Sequence, residues 1–165
     1  LFRSVKWHRK AAEQGDALAQ NHLGLMYANG RGVARDYRVA FDWYRKAAAR
    51  GDEVAWFNIG RAYDYGEGVK KNDQEAIKWY LMAAGKGVVL AQFRLGAKYY
   101  EGSGVSRNYC EAYKWFYISA AGGNSRAKEA LKITANCLTA LQISEAVRRS
   151  KEEKIVKNDE RYYAY

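Results

Sequence analysis

The sequence predicts an all-α protein: an α-solenoid of 36-residue helix-turn-helix repeats, an alpha-alpha superhelix. Three observations carry this. Trp7, Trp43, Trp79 and Trp115 stand 36 residues apart, and Gly15, Gly51, Gly87 and Gly123 keep the same step. Apolar residues inside each unit recur at helical spacing, as at Ala19, Leu23 and Tyr27. The 165 residues contain no proline, which a β-sandwich or α/β fold normally uses in its turns.

The opening segment, 1–15, reads as half a repeat: a second-type helix without its first-type partner. The tryptophans recur with the fold and read as core. At this open end, however, an outer apolar face with Phe2 and Trp7 is left uncovered, which makes the N-terminal end a candidate for self-association. His8 falls in the slot of Tyr44, Tyr80 and Phe116 and reads as a structural aromatic.

Three full units follow, 16–51, 52–87 and 88–123. Asp16, Asp52 and Asn124 are suited to cap first-type helices, and Val88 breaks that rule. Gly24, Gly60 and Gly96 sit inside these helices. A mid-helix glycine costs about 1 kcal/mol against alanine, so three at one slot imply a neighbouring helix in close approach. The loop Gly30-Arg31-Gly32-Val33 returns as Gly66-Glu67-Gly68-Val69 and Gly102-Ser103-Gly104-Val105 and ends each first-type helix. Asp36, Asn72 and Asn108 start the second-type helices, whose buried stripe is Ala40, Trp43, Tyr44 and Ala47 and their equivalents. Trp56 matches Gln20 and Gln92 and is either a surface anchor or a local core filler.

A last first-type helix occupies 124–137, and a capping helix 138–156. Thr139 and Gln142 have capping-box spacing there, with Leu138 stapling onto Ile143. Residues 157–165 lack periodicity and read as a frayed tail. Two helices of about a dozen residues cannot bury a core alone, whereas stacked neighbours can, so 1–156 is expected to form a single repeat domain.

Composition narrows the function. At 48% apolar and 15% aromatic, the chain is too rich for a disordered protein. No apolar run approaches the roughly 18 residues of a membrane span. A net charge of +10 favours acidic partners. Two cysteines are too few for a disulfide framework. Cys110 and Cys137 should lie on one edge of the array, as a bridge or as two free thiols. Two isolated histidines give no metal spacing. The Gly-x-Gly segments end helices instead of opening them, so no phosphate loop is present. No enzyme signature, cofactor or metal is expected. The chain opens on Leu1-Phe2-Arg3 and reads as a mature fragment, from which targeting is not legible.

The unit A-x3-L-G-x2-Y-x2-G-x-G-V, followed by A-x2-W-Y-x2-A-A-x2-G, resembles the Sel-1-like repeat, a branch of the tetratricopeptide superfamily. The match covers residues 5–131. The segment Leu138–Ala146 is similar to the terminal cap of bacterial members. The resemblance implies a bacterial protein-interaction scaffold without catalysis, periplasmic or secreted in preference to cytoplasmic. It disfavours the cysteine-rich branch, because the matching positions, such as Ala48 and Trp56, are not cysteine.

The resemblance also implies a concave groove lined by the first-type helices, on the side opposite Ala19, Leu23 and Tyr27. The residues expected to bind a peptide or protein segment are Leu18, Asn21, Leu25, Val54, Phe57, Arg61, Leu90, Phe93, Tyr100 and Arg126. Nucleic-acid binding through the basic surface is one alternative. Against it, the basic residues fall mostly on second-type helices and loops, such as Arg38, Arg45, Lys70 and Lys78. A glycan or cell-envelope polymer adaptor is the other alternative.

Overall fold

The structure, a computed structural model, describes residues 2–156 and the side chains of residues 5–152. The tail 157–165 and the Phe2 side chain, both named above, lie outside the described residues. Every regular element described is helical: α1 (Phe2–Glu13), α2 (Ala17–Asn29), α3 (Tyr37–Ala48), α4 (Glu53–Tyr65), α5 (Asp73–Gly85), α6 (Val89–Glu101), α7 (Tyr109–Ala121), α8 (Ser125–Ala135) and α9 (Ala140–Val156). The fold class is an all-α helical repeat solenoid. By its internal contacts the chain divides into two compact units, Leu1–Met82 and Ala83–Tyr165.

The helix ends follow from local chemistry. Asp16 accepts from the Ala19 amide at 2.7 Å and Asp52 from the Ala55 amide at 2.6 Å. Asn108 does the same for Glu111 at 3.0 Å, and Val88 caps its helix without any side-chain bond. Gly30, Gly66 and Gly102 close the first-type helices in the left-handed conformation, at φ 65°, 74° and 75°, where an L side chain would be strained.

In the first unit the mid-helix glycines do what their spacing implied. A β-carbon on Gly24 would stand 2.5 Å from the Tyr44 ring, and one on Gly60 would stand 2.7 Å from the Tyr80 ring. Each glycine therefore lets the aromatic of the following helix lie directly on the backbone. Leu23 and Ile59 are fully buried beside them. Trp43 rests on a cluster of Val5, Ala12, Ala19 and Leu23, and Trp79 rests on the next cluster, which includes Tyr44, Ala47 and Ile59. The tryptophan slot thus packs backward onto the preceding helices. Trp7 has no preceding helices among the described residues and is 73% exposed. The core assignment therefore fails for Trp7 among the described residues.

Trp56 is a local core filler. Its indole N–H donates to the Ala48 carbonyl at 3.2 Å, the bond that the Gln20 amide makes to Ala12 at 2.9 Å. One slot, filled by an amide or an indole, ties the end of one helix to the start of the next.

The second unit repeats the device, with Gly96 under the Phe116 ring at 2.5 Å. Trp115 is buried here. The capping box forms: the Gln142 amide donates to Thr139 Oγ at 3.3 Å, and the Thr139 amide donates to Gln142 Oε1 at 2.9 Å. Helix α9 is fastened to α7 through Glu111, whose carboxylate takes Lys114 at 2.9 Å and Arg149 at 2.5 Å. Cys110 and Cys137 are free thiols.

Candidate functional site

Leu18, Val54 and Leu90 occupy one slot at the 36-residue step, and all three are exposed, at 59%, 43% and 55%. Isolated exposed leucines are ordinary, but an apolar side chain in the same exposed slot of three successive units is a pattern. In the first unit the surface around Leu18 is concave. A hollow of about 300 Å³ is lined by Trp7, His8, Ala11, Asp16, Leu18, Ala19 and His22. A neighbouring hollow of about 410 Å³ is lined by His8, His22, Leu25, Met26, Asn29 and Arg31. The His8 and His22 rings meet at 5.5 Å between the two.

The remaining residues expected on this face divide between open and inward positions. Leu25 is half-buried against the core. Asn21 is 2% exposed and turns inward, where its Oδ1 accepts from Asn58 Nδ2 at 2.8 Å. Phe57 is buried with its ring 5.8 Å from Tyr80. Arg61 is partly exposed and pairs with Glu67 at 3.4 Å. In the second unit, Phe93 is half-buried against Phe116 at 5.6 Å and Tyr100 against Tyr109 at 5.3 Å. Arg126 is exposed on α8.

The differences share one cause. On a wheel of about 100° per residue with Leu23 at zero, Gly24 lies near +100°. That flank is covered by the aromatic of the following helix, so the buried arc extends to the slots of residues 21 and 28, near +160° and +140°. The open arc is correspondingly displaced to residues 18, 22, 25 and 29. His22 and Asn29 are exposed, and Asn21 and Ala28 are buried. The signal was in the sequence: the open side lies opposite the bisector of the leucine and the glycine, not opposite the leucine alone.

One cluster on α3 and α4 departs from its equivalents. Tyr80 donates its hydroxyl to Asp64 at 3.1 Å, with both residues buried. The matching pair one unit earlier is Tyr44 and Ala28. Tyr44 is 2% exposed and no protein group bonds its hydroxyl. Burial pushes its pKa up to about 12, with Arg61 lowering and Glu67 raising it, so the phenol stays protonated and remains a donor. The Arg61 Nε–H is buried without a partner as well.

Among the described residues, no group of three or more His, Cys, Asp or Glu could hold a metal ion. No described helix is long and apolar enough to cross a membrane.

The Sel1 repeat family model matches residues 2–16, 17–52, 55–88 and 89–124. The chain is similar to a protective antigen present in uropathogenic Escherichia coli strains that displays an SLR fold. The identity there is 42% and the TM-score 0.84, over 90% of this chain and 32% of that one. It is similar also to a Sel1 repeat protein from Oxalobacter formigenes, at 34% identity and a TM-score of 0.76, over 92% of this chain and 64% of that one. The chain therefore spans about a third of the first relative and under two thirds of the second. Helicobacter pylori cysteine rich protein B shares the fold at 24% identity and a TM-score of 0.61, over 78% of this chain and 92% of that one. Among curated proteins, none matches the chain. Nothing in these likenesses supports nucleic-acid or envelope-polymer binding.

Proposed function

This chain belongs to the Sel1 repeat family, and from that premise we propose that it binds a peptide or protein segment along the open faces of its first-type helices. Repeats of this family generally serve as protein-interaction scaffolds and not as enzymes. The observation that carries the reading is the exposed aliphatic slot of Leu18, Val54 and Leu90. Each unit supplies its own stretch of that face, with the hollows around Leu18 and His22 in the first and Arg126 beyond Leu90 in the second. An extended or helical segment that places apolar side chains against these positions would bury area now in water, at about 25 cal/mol per Å² before ordering costs.

The test is capture of binding proteins from a bacterial extract by the intact chain and by a Leu18→Ser, Val54→Ser, Leu90→Ser variant. These positions are on the surface, so the melting midpoint should stay within the range of about 0.5 kcal/mol typical of surface changes. The captured partner should be lost. Retention of the partner at equal yield would remove this face from the binding account. Self-association through the N-terminal end is a second reading, favoured by the 73% exposure of Trp7. Sedimentation as a single monomeric species at high concentration would end it.

A further inference from the structure

We propose that the hollow between the end of α1 and the end of α3 binds the carboxy terminus of a peptide: Lys46 and Arg50 take its carboxylate, and Gln20 takes the last N–H. The hollow, of about 780 Å³, is walled by the turn Ala12–Gly15, by Gln20 near the start of α2, and by Trp43, Lys46 and Arg50. It shares no wall residue with the hollows around Leu18 and His22, so the proposal does not depend on the reading of that face.

A buried acceptor without a partner points to the site. Gln20 is 5% exposed, and its Nε2 donates to the Ala12 carbonyl at 2.9 Å. That bond fixes which end of the amide is which and leaves Oε1 as the free end. Oε1 is buried and no protein group bonds it. Buried polar atoms are almost always partnered, so an orphan acceptor on a residue in the wall of a hollow calls for a donor from outside the chain.

Two cations stand around it. The Ala12 carbonyl that holds Gln20 also accepts from the Gly15 amide at 3.0 Å. The Arg50 guanidinium lies on that same glycine, so closely that a β-carbon there would stand 2.5 Å from Arg50 Nη2. Gln20 and Arg50 are thus placed by one turn of backbone. Lys46, on the last turn of α3, holds its ammonium 4.0 Å from the centre of the Trp43 ring. Neither cation is paired with an acidic side chain among the described residues.

The charges select the ligand. Lys46 and Arg50 against Glu13, the acidic side chain in the wall, leave the hollow at a net +1. A peptide carboxy terminus brings one negative charge and, on the same α-carbon, a neutral N–H for Gln20. Its carboxylate suits the two-pronged geometry of a guanidinium. A free amino acid is neutral overall and leaves the +1 unbalanced. A uronic acid has the charge and hydroxyl donors, but the Trp43 indole is not an open platform for a sugar ring. It packs on the cluster of Val5, Ala12, Ala19 and Leu23 and carries Lys46 over its ring.

The set occurs once in the array. One repeat on, the slots of Gln20, Lys46 and Arg50 hold Trp56, Met82 and Lys86, and two repeats on they hold Gln92, Ile118 and Gly122. Trp56 keeps the bond to the preceding helix, at 3.2 Å from the Ala48 carbonyl, but an indole has no acceptor to offer. The donor is therefore the structural part of this slot, and the acceptor with its two cations is additional to it.

The test uses the whole chain labelled with nitrogen-15 and follows the Gln20 side-chain amide and the Trp43 indole by two-dimensional NMR. The probe is acetyl-trialanine with a free carboxylate, and both resonances should move and saturate with it. Acetyl-trialanine amide, which lacks the charge, should bind at least about tenfold more weakly. The ester analogue, with oxygen in place of the last N–H, should bind about fivefold more weakly than the acid, the loss of one neutral bond. Arg50→Gln should weaken the acid about tenfold and leave the amide unchanged. Absence of any shift with the acid overturns the proposal. So does equal binding of acid and amide, or of acid and ester. Galacturonic acid that saturates the same resonances at lower concentration than the peptide overturns it in favour of a glycan. The Leu18→Ser, Val54→Ser, Leu90→Ser variant should bind the acid as the wild type does; loss there would place the peptide on the other face and overturn the site.

Discussion

Tyr44 and Tyr80 stand in the same slot of successive units, each lying on the glycine of the helix before it, yet only one has its hydroxyl satisfied. Tyr80 donates to Asp64, and the equivalent of Asp64 beneath Tyr44 is Ala28. The ring does the same packing in both places, so the fold does not distinguish them. The difference lies in a polar group that packing does not use. A repeat protein supplies its own internal control in this way: what every unit shares maintains the array, and what one unit leaves unsatisfied does not. Glu75–Lys78 and Glu111–Lys114 make a second such comparison. The first ion pair is on the surface, with side chains 34% and 68% exposed; the second is 13% and 7% exposed. Helix α9 covers the second and adds Arg149 to it.

The largest effect should come from breaking the shared part. Gly60→Leu forces a side chain into the Tyr80 ring, which is fully buried, and the Ala76 carbonyl lies 3.2 Å from the β-carbon position. We expect a loss of about 3 kcal/mol, at the upper end of overpacking costs, read by denaturant unfolding. An unchanged midpoint would remove the close-approach argument for all three helix glycines. Next come the two ion pairs. Glu111→Gln takes away the carboxylate that holds both Lys114 and Arg149 and should cost about 2 kcal/mol. Glu75→Gln should cost under about 0.5 kcal/mol, because its pair is solvated. Equal losses at the two sites would mean that α9 does not make the difference.

Much of this was legible in the sequence, because the period is carried by residues whose roles are steric. The glycines at 24, 60 and 96, the caps at 16, 36, 52 and 108, and the capping box at Thr139 have one physical reading each. The face was less legible. A wheel centred on Leu23 alone puts Asn21 and Phe57 in the open, and both are buried because the following helix covers the glycine flank as well. Trp7 differs from Trp115 through its neighbours and not through its own slot. The Tyr44 cluster was missed because no motif announces it. It becomes visible only when residues 28 and 44 are compared with residues 64 and 80, which requires knowing that those two slots touch.

The smallest expected effect tests the central claim most directly. Chemical unfolding of Tyr44→Phe and Tyr80→Phe, measured side by side with the wild-type chain, asks whether the Tyr44 hydroxyl is kept for something other than stability. Tyr80→Phe removes a buried bond to Asp64 and should lose about 1 kcal/mol. Tyr44→Phe removes a buried group that bonds to nothing in the protein, and its midpoint should equal or exceed that of the wild type. A loss for Tyr44→Phe as large as that for Tyr80→Phe would show that the hydroxyl already serves the fold, and would contradict the account.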